Sequence, residues 1–350
     1  MKIITLTPPL ISNIKEKITC IRGHRERIFN TSLEHQDHKY IFHNYGHGGA
    51  GWTFLFGCVH ESIRQFEQVL LTMPSLRYTA IAVVGAGCYG LLTAILLARK
   101  GHNVTIYAKE QNTLASNKAA GFFFPRPRKV SNEFETAIFF ERGMESYRTY
   151  LDILAGKHPF IQHGPKLLPA YYGLDIDPGF GPYQARGLLG DAEQVIIDFG
   201  NNKSYPAMAY QTIYLNPGIL MEELNRNSKE LGIPIITQSI DSLTELTEDV
   251  VFNCSGLGAK KLAPDARMIP IQGHLITLTA QPDMSQLQYL INFKVVMMTP
   301  QNTPRYELLY YAPKDEGILG ITFLRGQDSL TSNAHEFDRL LQRAHDFFGT

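Results

Sequence analysis

Hydrophobic positions change their period several times along the chain. Thr79–Val84 is a short β-branched and apolar run, followed by a glycine-rich turn. Apolar residues then fall at helical spacing, at Leu91, Ala94, Ile95, Leu97 and Ala98. Gly101 stands where a helix C′ glycine belongs, and Asn103–Ala108 reads as a second strand. The pattern predicts a strand–turn–helix–strand unit of about 30 residues, hence a parallel sheet with a right-handed crossover. Helices are predicted over Asn132–Ala155 and over Pro217–Leu231; the second has Pro at its first position and Gly232 just past its end. Pro234–Ser239 and Asp249–Cys254 read as strands. His274–Thr279, Leu290–Met298, Tyr306–Ala312 and Gly317–Phe323 read as a run of mostly antiparallel strands, closed by an amphipathic helix over Asn333–Phe348. Residues 158–215 are rich in Gly, Pro and Tyr and show no clear period. Near the N-terminus, the cluster from His43 to Gly51 precedes a long apolar helix from Trp52 to Leu71, and Met73–Arg77 links it to the first strand. Alternating strands and helices followed by a block of strands imply an α/β fold. A Rossmann-like nucleotide-binding domain is expected beside a sheet-based second domain.

Composition narrows the function classes. The 350 residues carry 33 Lys+Arg and 33 Asp+Glu, so no global positive field favours nucleic acid. With 44% apolar and 19% charged residues, the chain can bury a large core without disulfides or a structural metal. Cys20, Cys58, Cys88 and Cys254 form no CxxC pair, which predicts reduced thiols and a cytoplasmic setting. The N-terminal stretch lacks a clean signal-peptide core. The longest apolar run, near Leu91–Ala98, is far short of the ~20 residues a bilayer span needs. The twelve histidines form no HExxH and no metal cluster.

Gly85-Ala86-Gly87-Cys88-Tyr89-Gly90 carries the most specific chemistry. A GxGxxG hexad alone says little, but this one follows a predicted strand and opens a helix. Gly85 permits the tight turn, Gly87 lets backbone approach a pyrophosphate, and Gly90 allows close helix–sheet packing. The helix N-terminus then presents its positive end to the phosphates. The ribose-binding acid belongs roughly 20 residues past the last glycine. Glu110 fits that count, with Lys109 beside it; which of the two meets the ribose is open.

At this point the sequence resembles the D-amino-acid oxidase family of flavoproteins, which includes glycine and sarcosine oxidases. Ile81–Gly87 through Ile106–Ala108 is similar to the family's FAD-binding opening. Ala119-Ala120-Gly121 resembles the loop beside the flavin. Asp249–Gly256, ending in Cys254-Ser255-Gly256, resembles the strand and turn that close the adenosine site. Ile271-Gln272-Gly273-His274 resembles the segment that returns to the flavin. His43-Asn44-Tyr45-Gly46-His47-Gly48-Gly49 is the sharpest match. In the family that motif lies near the C-terminus, so the order here looks circularly permuted.

The resemblance implies non-covalent FAD and oxidation of a small amine or amino acid, with hydride passing from the substrate Cα to flavin N5 and O2 reoxidising the flavin to give H2O2. Gly46, Gly48, Gly49, Ala50 and Gly51 would set a helix N-terminus against the anionic edge of the reduced flavin. Thr53 would bond the flavin C2 oxygen. Arg22, in Thr19–Arg25, resembles the arginine that grips the substrate carboxylate, a task suited to a guanidinium fork; a solvated basic cluster with Arg25 and Arg27 is the plainer alternative. Tyr306 and Tyr310 resemble the two tyrosines around the substrate and share one strand face. Even spacing of tyrosines also arises from ordinary sheet packing. His43 and His47 read as structural members of their loop.

The implied FAD-binding domain takes residues 36–130 and 217–275. The α+β substrate domain, with its mostly antiparallel sheet, takes residues 1–35, 131–216 and 276–350. Two further readings stay open: a dehydrogenase that passes electrons to an acceptor other than oxygen, and an FAD-binding protein that has lost turnover. A homodimer is compatible with the sequence. Substrate identity and stereochemistry are not legible in it.

Overall fold

Ile81–Val84 is fully buried and forms the middle of a six-stranded sheet, as a continuous apolar run demands of a parallel strand covered on both faces. The structure, a computed structural model, describes residues 1–112, 114–298, 302–331 and 333–349. The expected segments 36–130 and 276–350 therefore include a few positions outside the described residues. In spatial order the sheet contains Ile235–Thr237, Val104–Ala108, Ile81–Val84, Val250–Asn253, Lys39–His43 and Leu33–Gln36. The first five strands are parallel and Leu33–Gln36 turns back antiparallel at the edge. Helix Cys88–Arg99 makes the crossover from Ile81–Val84 to Val104–Ala108. The predicted strand over Thr79–Val84 begins only at Ile81, because Pro74–Tyr78 winds into a short 3₁₀ turn that ends on Thr79.

The N-terminal segment belongs to this sheet. Tyr40–His43 pairs residue for residue with Val250–Asn253, and the strand's end feeds the glycine cluster and the helix Gly51–Thr72. That helix packs on Glu133–Leu154, which opens with a capping box between Asn132 and Glu135. At Gly57 the two backbones touch: a Cβ there would overlap the carbonyl of Arg142.

A second, ten-stranded sheet carries the rest of the fold. Its longest pairing joins Ile14–Arg25 to Met268–Leu278, antiparallel from Ile14↔Leu278 to Arg25↔Met268. Residues 158–215, unassigned from periodicity, supply the strands Pro165–Gly173, Glu193–Asp198 and Ser204–Leu215. Tyr171, Tyr172, Tyr183 and Tyr214 are buried there, so the tyrosine-rich composition is core rather than loop. Two junctions are parallel, Lys2–Thr5 with Glu193–Asp198 and Leu290–Met298 with Pro165–Gly173; the other pairings are antiparallel. The N-terminal arm thus becomes an edge strand. Helix Ala334–Phe348 buries Phe337, Leu340, Ala344, Phe347 and Phe348 in the core of this sheet and stops at Gly349, whose φ is 76°. The strand expected over Gly317–Phe323 covers only Ile318–Gly320. Thr322 and Phe323 leave the ladder and serve the site described below. Among the described residues no helix is long and apolar enough to cross a membrane.

Candidate active site

The glycine hexad assembles at the C-terminal edge of the parallel sheet. Gly85 has φ 110°, and a Cβ there would come 2.5 Å from the Cys254 carbonyl oxygen. The same turn is tied down by the Cys254 N–H, which donates to Val84 at 2.9 Å. Gly87 is the N-cap of Cys88–Arg99; a Cβ there would meet only Ser116 Oγ, at 3.2 Å, so the approach to the helix end is open. The Cys88 N–H donates to Ser116 Oγ at 3.1 Å. Gly90 sits so close to Gly85 that a side chain would overlap its carbonyl. Ala86, Cys88 and Tyr89 are buried around the turn. Ser116 was missed by sequence reasoning. Its only signal is a hydroxyl residue just ahead of Ala119-Ala120-Gly121. Past the neighbouring strand, Ser255 Oγ donates to Asn253 Oδ1 at 2.6 Å, and Gly256 faces open space at φ 59°. Lys109 and Glu110 lie exposed just beyond Val104–Ala108.

The second glycine cluster faces this turn. Gly48–Ala50 forms one 3₁₀ turn that runs into helix Gly51–Thr72. Gly46 lies against Arg25 and Gly48 against His24, both at positive φ. His47 is sandwiched between Phe29 and Tyr89, with ring centroids 5.0 and 3.9 Å away. His43 is held by Glu34 at 2.9 Å and Asn253 at 3.2 Å. Both histidines pack within the loop. Thr53 is fully buried; its hydroxyl accepts from the Phe124 N–H at 3.1 Å and donates to the Phe122 carbonyl at 3.4 Å. It braces the helix against Phe122 and Phe124, just past the loop Ala119–Gly121, where Ala120 and Gly121 are buried and the Gly121 carbonyl accepts from the Leu215 N–H.

Arg22 comes from the strand Ile14–Arg25 and reaches the second glycine cluster at Gly49. It is 9% exposed, and its Nη2 donates to the Thr322 carbonyl at 2.8 Å. A Cβ at Gly273 would come 2.7 Å from Nη2 and one at Gly49 3.5 Å from Nη1, so the guanidinium lies between two glycines. Phe323 covers it at 4.4 Å. No carboxylate pairs with it among the described residues, and Nε is buried without a partner. Burial pushes its pKa down. Tyr310 shares this space: burial pushes its phenol up, Arg22 acts on it, and Phe122 packs on its ring at 5.0 Å. Tyr306 occupies the same strand face, but it is 68% exposed at the far end of the hairpin. The structure therefore brings Tyr310 to Arg22 and leaves Tyr306 at the rim, because four strand residues span about 13 Å. Tyr311 points the other way, into the core beneath Ala334–Phe348.

Cationic side chains dominate the surroundings. Arg128 donates from Nη2 to the Gly46 carbonyl at 2.8 Å, and burial lowers its pKa to about 9. His24 is lowered to about 4, by burial and then by Arg128, Arg325 and Arg22. Burial raises the Cys20 thiol, which is unreactive in that state. All four cysteines are buried free thiols. Among the described residues no His, Cys, Asp or Glu cluster could hold a metal ion.

A GxGxxG turn at the C-terminal edge of a parallel sheet, facing a glycine-rich helix start, defines a dinucleotide-binding class. Residues 80–350 match the family described as DAO, FAD dependent oxidoreductase, and the chain belongs to that family. The chain is 25% identical over 201 residues to the D-amino-acid oxidase of Streptomyces coelicolor, a match covering 57% of this chain and 58% of that protein. It is 27% identical over 207 residues to the D-aspartate oxidase of Homo sapiens, covering 57% and 60%. The matches thus span less than two thirds of these relatives. The crystal structure of glycine oxidase from Bacillus cereus shares the fold, with TM-score 0.54 and 17% identity over 76% of this chain and 77% of that one.

FAD is the family's cofactor, and the residues fit it. The Gly87 approach is open beside a helix N-terminus, with the Ser116 hydroxyl at the same end. At the other end His47 Nε2 and Thr19 Oγ1 are buried polar atoms without hydrogen-bond partners among the described residues. The Gly85–Gly90 turn and Ser116 would hold the pyrophosphate, and Gly48–Gly51 with Ala119–Gly121 would border the ring.

Proposed function

We propose that this chain is an FAD-dependent oxidase of a small D-amino acid or related amine, with Arg22 holding the substrate carboxylate. One observation carries the reading: a guanidinium buried between Gly49 and Gly273, facing Tyr310, has no carboxylate partner among the described residues. A buried, unpaired cation is costly unless a ligand neutralises it. Bound FAD supplies the hydride acceptor. Arg22 orients the amino acid by its carboxylate. Tyr310 and Phe122 wall the space and exclude water. The net reaction takes amino acid, O2 and water to oxo acid, ammonium and hydrogen peroxide. Glu110 or Lys109 would meet the ribose, and Cys254-Ser255-Gly256 would border the adenosine. Four buried thiols accord with a reducing, cytoplasmic setting.

The test is spectroscopic. Purified protein should be yellow, bleach under argon with a D-amino acid, and recolour on aeration with peroxide formed. Bleaching without reoxidation by oxygen would favour a dehydrogenase. Colour that no amine bleaches would favour a protein that has lost turnover.

The chain order is part of the proposal. Residues 36–130 with 217–275 form the FAD-binding part; residues 1–35, 131–216 and 276–350 form the substrate part. The glycine-rich helix start has been moved ahead of the first nucleotide strand by circular permutation. The parallel pairing of Lys39–His43 with Val250–Asn253 supports this, since it seats the early segment in the nucleotide sheet. A gene that starts at Thr79 and continues from residue 350 through a flexible linker into Met1–Tyr78 should yield protein with the same flavin spectrum. Loss of FAD binding would count against the rotation.

A further inference from the structure

His274 lies within the strand Met268–Leu278, fully buried, with apolar Leu275 and Ile276 following it. Its side chain hydrogen-bonds to one residue among those described. Nδ1 is 2.7 Å from Thr322 Oγ1, and the His274 backbone N–H donates to the same oxygen at 3.0 Å. The ring stands perpendicular to Phe337 at 4.9 Å, and Nε2 has no hydrogen-bond partner among the described residues. A buried imidazole with one nitrogen unpaired is a poor way to fill a core, because an apolar side chain would carry no desolvation cost. The position asks for another explanation.

Thr322 supplies it. The residue lies outside the strand Ile318–Gly320, so no ladder fixes its peptide. Two contacts from His274 hold its hydroxyl, while its carbonyl accepts from Arg22 Nη2 at 2.8 Å. Neighbouring Gly273 lies against the same guanidinium, where a Cβ would come 2.7 Å from Nη2. Consecutive residues thus act on Arg22 in two ways: Gly273 leaves room for it, and His274 fixes the carbonyl that aims it. With Nη2 anchored, Nη1 lies beside Gly49 of the second glycine cluster, and Nε has no hydrogen-bond partner among the described residues. We propose that His274 is a positioning residue that acts through Thr322 to set the orientation of Arg22 for the substrate carboxylate. This rests on the carboxylate role of Arg22 given above.

The test compares holoenzyme variants His274→Ala, His274→Gln, Thr322→Val, Thr322→Ser and Arg22→Ala. Each is scored for FAD content, KM, kcat and the limiting rate of anaerobic flavin bleaching. His274→Ala and Thr322→Val should each raise KM about tenfold with kcat within about twofold, the split expected when binding orientation alone is lost. The double variant His274→Ala/Thr322→Val should be no worse than Thr322→Val alone, since both changes break one chain of contacts. Thr322→Ser and His274→Gln should restore most of the loss. If Arg22→Ala raises KM while His274→Ala and Thr322→Val leave it unchanged in FAD-replete protein, the positioning role is overturned and the carboxylate role stands. If Arg22→Ala leaves KM unchanged, the carboxylate role falls and the inference with it. A fall in kcat at constant KM also overturns it. Should His274→Ala fail to fold, the near-isosteric Thr322→Val decides alone.

Discussion

The Tyr89 hydroxyl donates to the Gly51 carbonyl at 2.7 Å, joining the nucleotide turn to the start of the glycine-rich helix. His47 stacks on the same ring at 3.9 Å. The two glycine clusters, joined here across 38 positions of the chain, are thereby locked to each other by one buried phenol. Tyr89→Phe keeps the ring and removes the bond. It should cost about 1 kcal/mol of stability and weaken FAD binding modestly. Thermal unfolding and fluorescence titration with FAD check this; equal melting and equal affinity would show that the bond does not couple the clusters.

Gly87 and Gly85 should fail in different ways. Gly87 has φ −74°, which any residue tolerates, and open space beyond Ser116. Gly87→Val should therefore fold and lose FAD, since the side chain fills the phosphate approach. Gly85 has φ 110° and lies against the Cys254 carbonyl, so Gly85→Ala should lower the melting temperature itself. Flavin absorbance after desalting, beside a melting curve, separates the two. A Gly87→Val protein with full cofactor would contradict the nucleotide role of the turn.

Arg22 and Arg25 sit three residues apart with opposite expectations. Arg25 pairs with Asp265 at 2.6 Å, both side chains 10% exposed. Arg25→Ala leaves the partly buried Asp265 carboxylate without its cation, held by the Tyr45 hydroxyl and the Arg267 N–H, and should destabilise by about 1–3 kcal/mol. Arg22 leaves no charge behind. Arg22→Ala should retain the fold and FAD while KM for a carboxylate-bearing substrate rises at least tenfold. Unchanged steady-state kinetics would remove Arg22 from the site.

Acid should weaken the protein before its carboxylates titrate. Burial lowers the pKa of His47, His102 and His274, and holds His24 and His158 at about 4 against an ordinary 6.5. The unfolded chain therefore binds more protons than the folded one between those values, so stability rises with pH across that window. Melting temperature should fall as pH is lowered from 6.5 to 4. In His24→Asn the slope should be shallower. A flat profile through this range would show that the histidines titrate normally.

The strand that carries Tyr310 is pinned from behind. Glu307 accepts from Arg305, Arg339 and Arg343, and Arg343 is 2% exposed. Glu307→Ala would strand a buried guanidinium and should cost about 3–5 kcal/mol. Because Tyr310 lies three residues on, activity should fall at temperatures where the variant is still folded, and activity and circular dichroism measured together test that. Coincident loss would mean that the pin serves stability alone.

The alternation of periods made much of this architecture readable. Ile81–Val84, Cys88–Arg99 and Val104–Ala108 are local: a buried run, three glycines and a helix period suffice. The helices Glu133–Leu154 and Pro217–Glu230 were legible for the same reason, with caps that lie within a few residues. Residues 158–215 were not legible, because their tyrosines pack from both faces of a twisted sheet and leave no period. Ser116 was invisible because its partner, the Cys88 N–H, is 28 residues away. The family resemblance implies a flavin contact for Thr53, whose hydroxyl is engaged by Phe122 and Phe124.

The opening motif and the glycine cluster HNYGHGG were determined by the sequence itself, since backbone freedom and helix ends depend on neighbours in the chain. The meeting of Arg22 with Thr322, Gly273, Gly49 and Tyr310 was decided only by the tertiary structure. Those residues come from both ends of the chain, and no local energy favours one against another. The pairing of Ile14–Arg25 with Met268–Leu278, a long-range ladder, places the guanidinium among them.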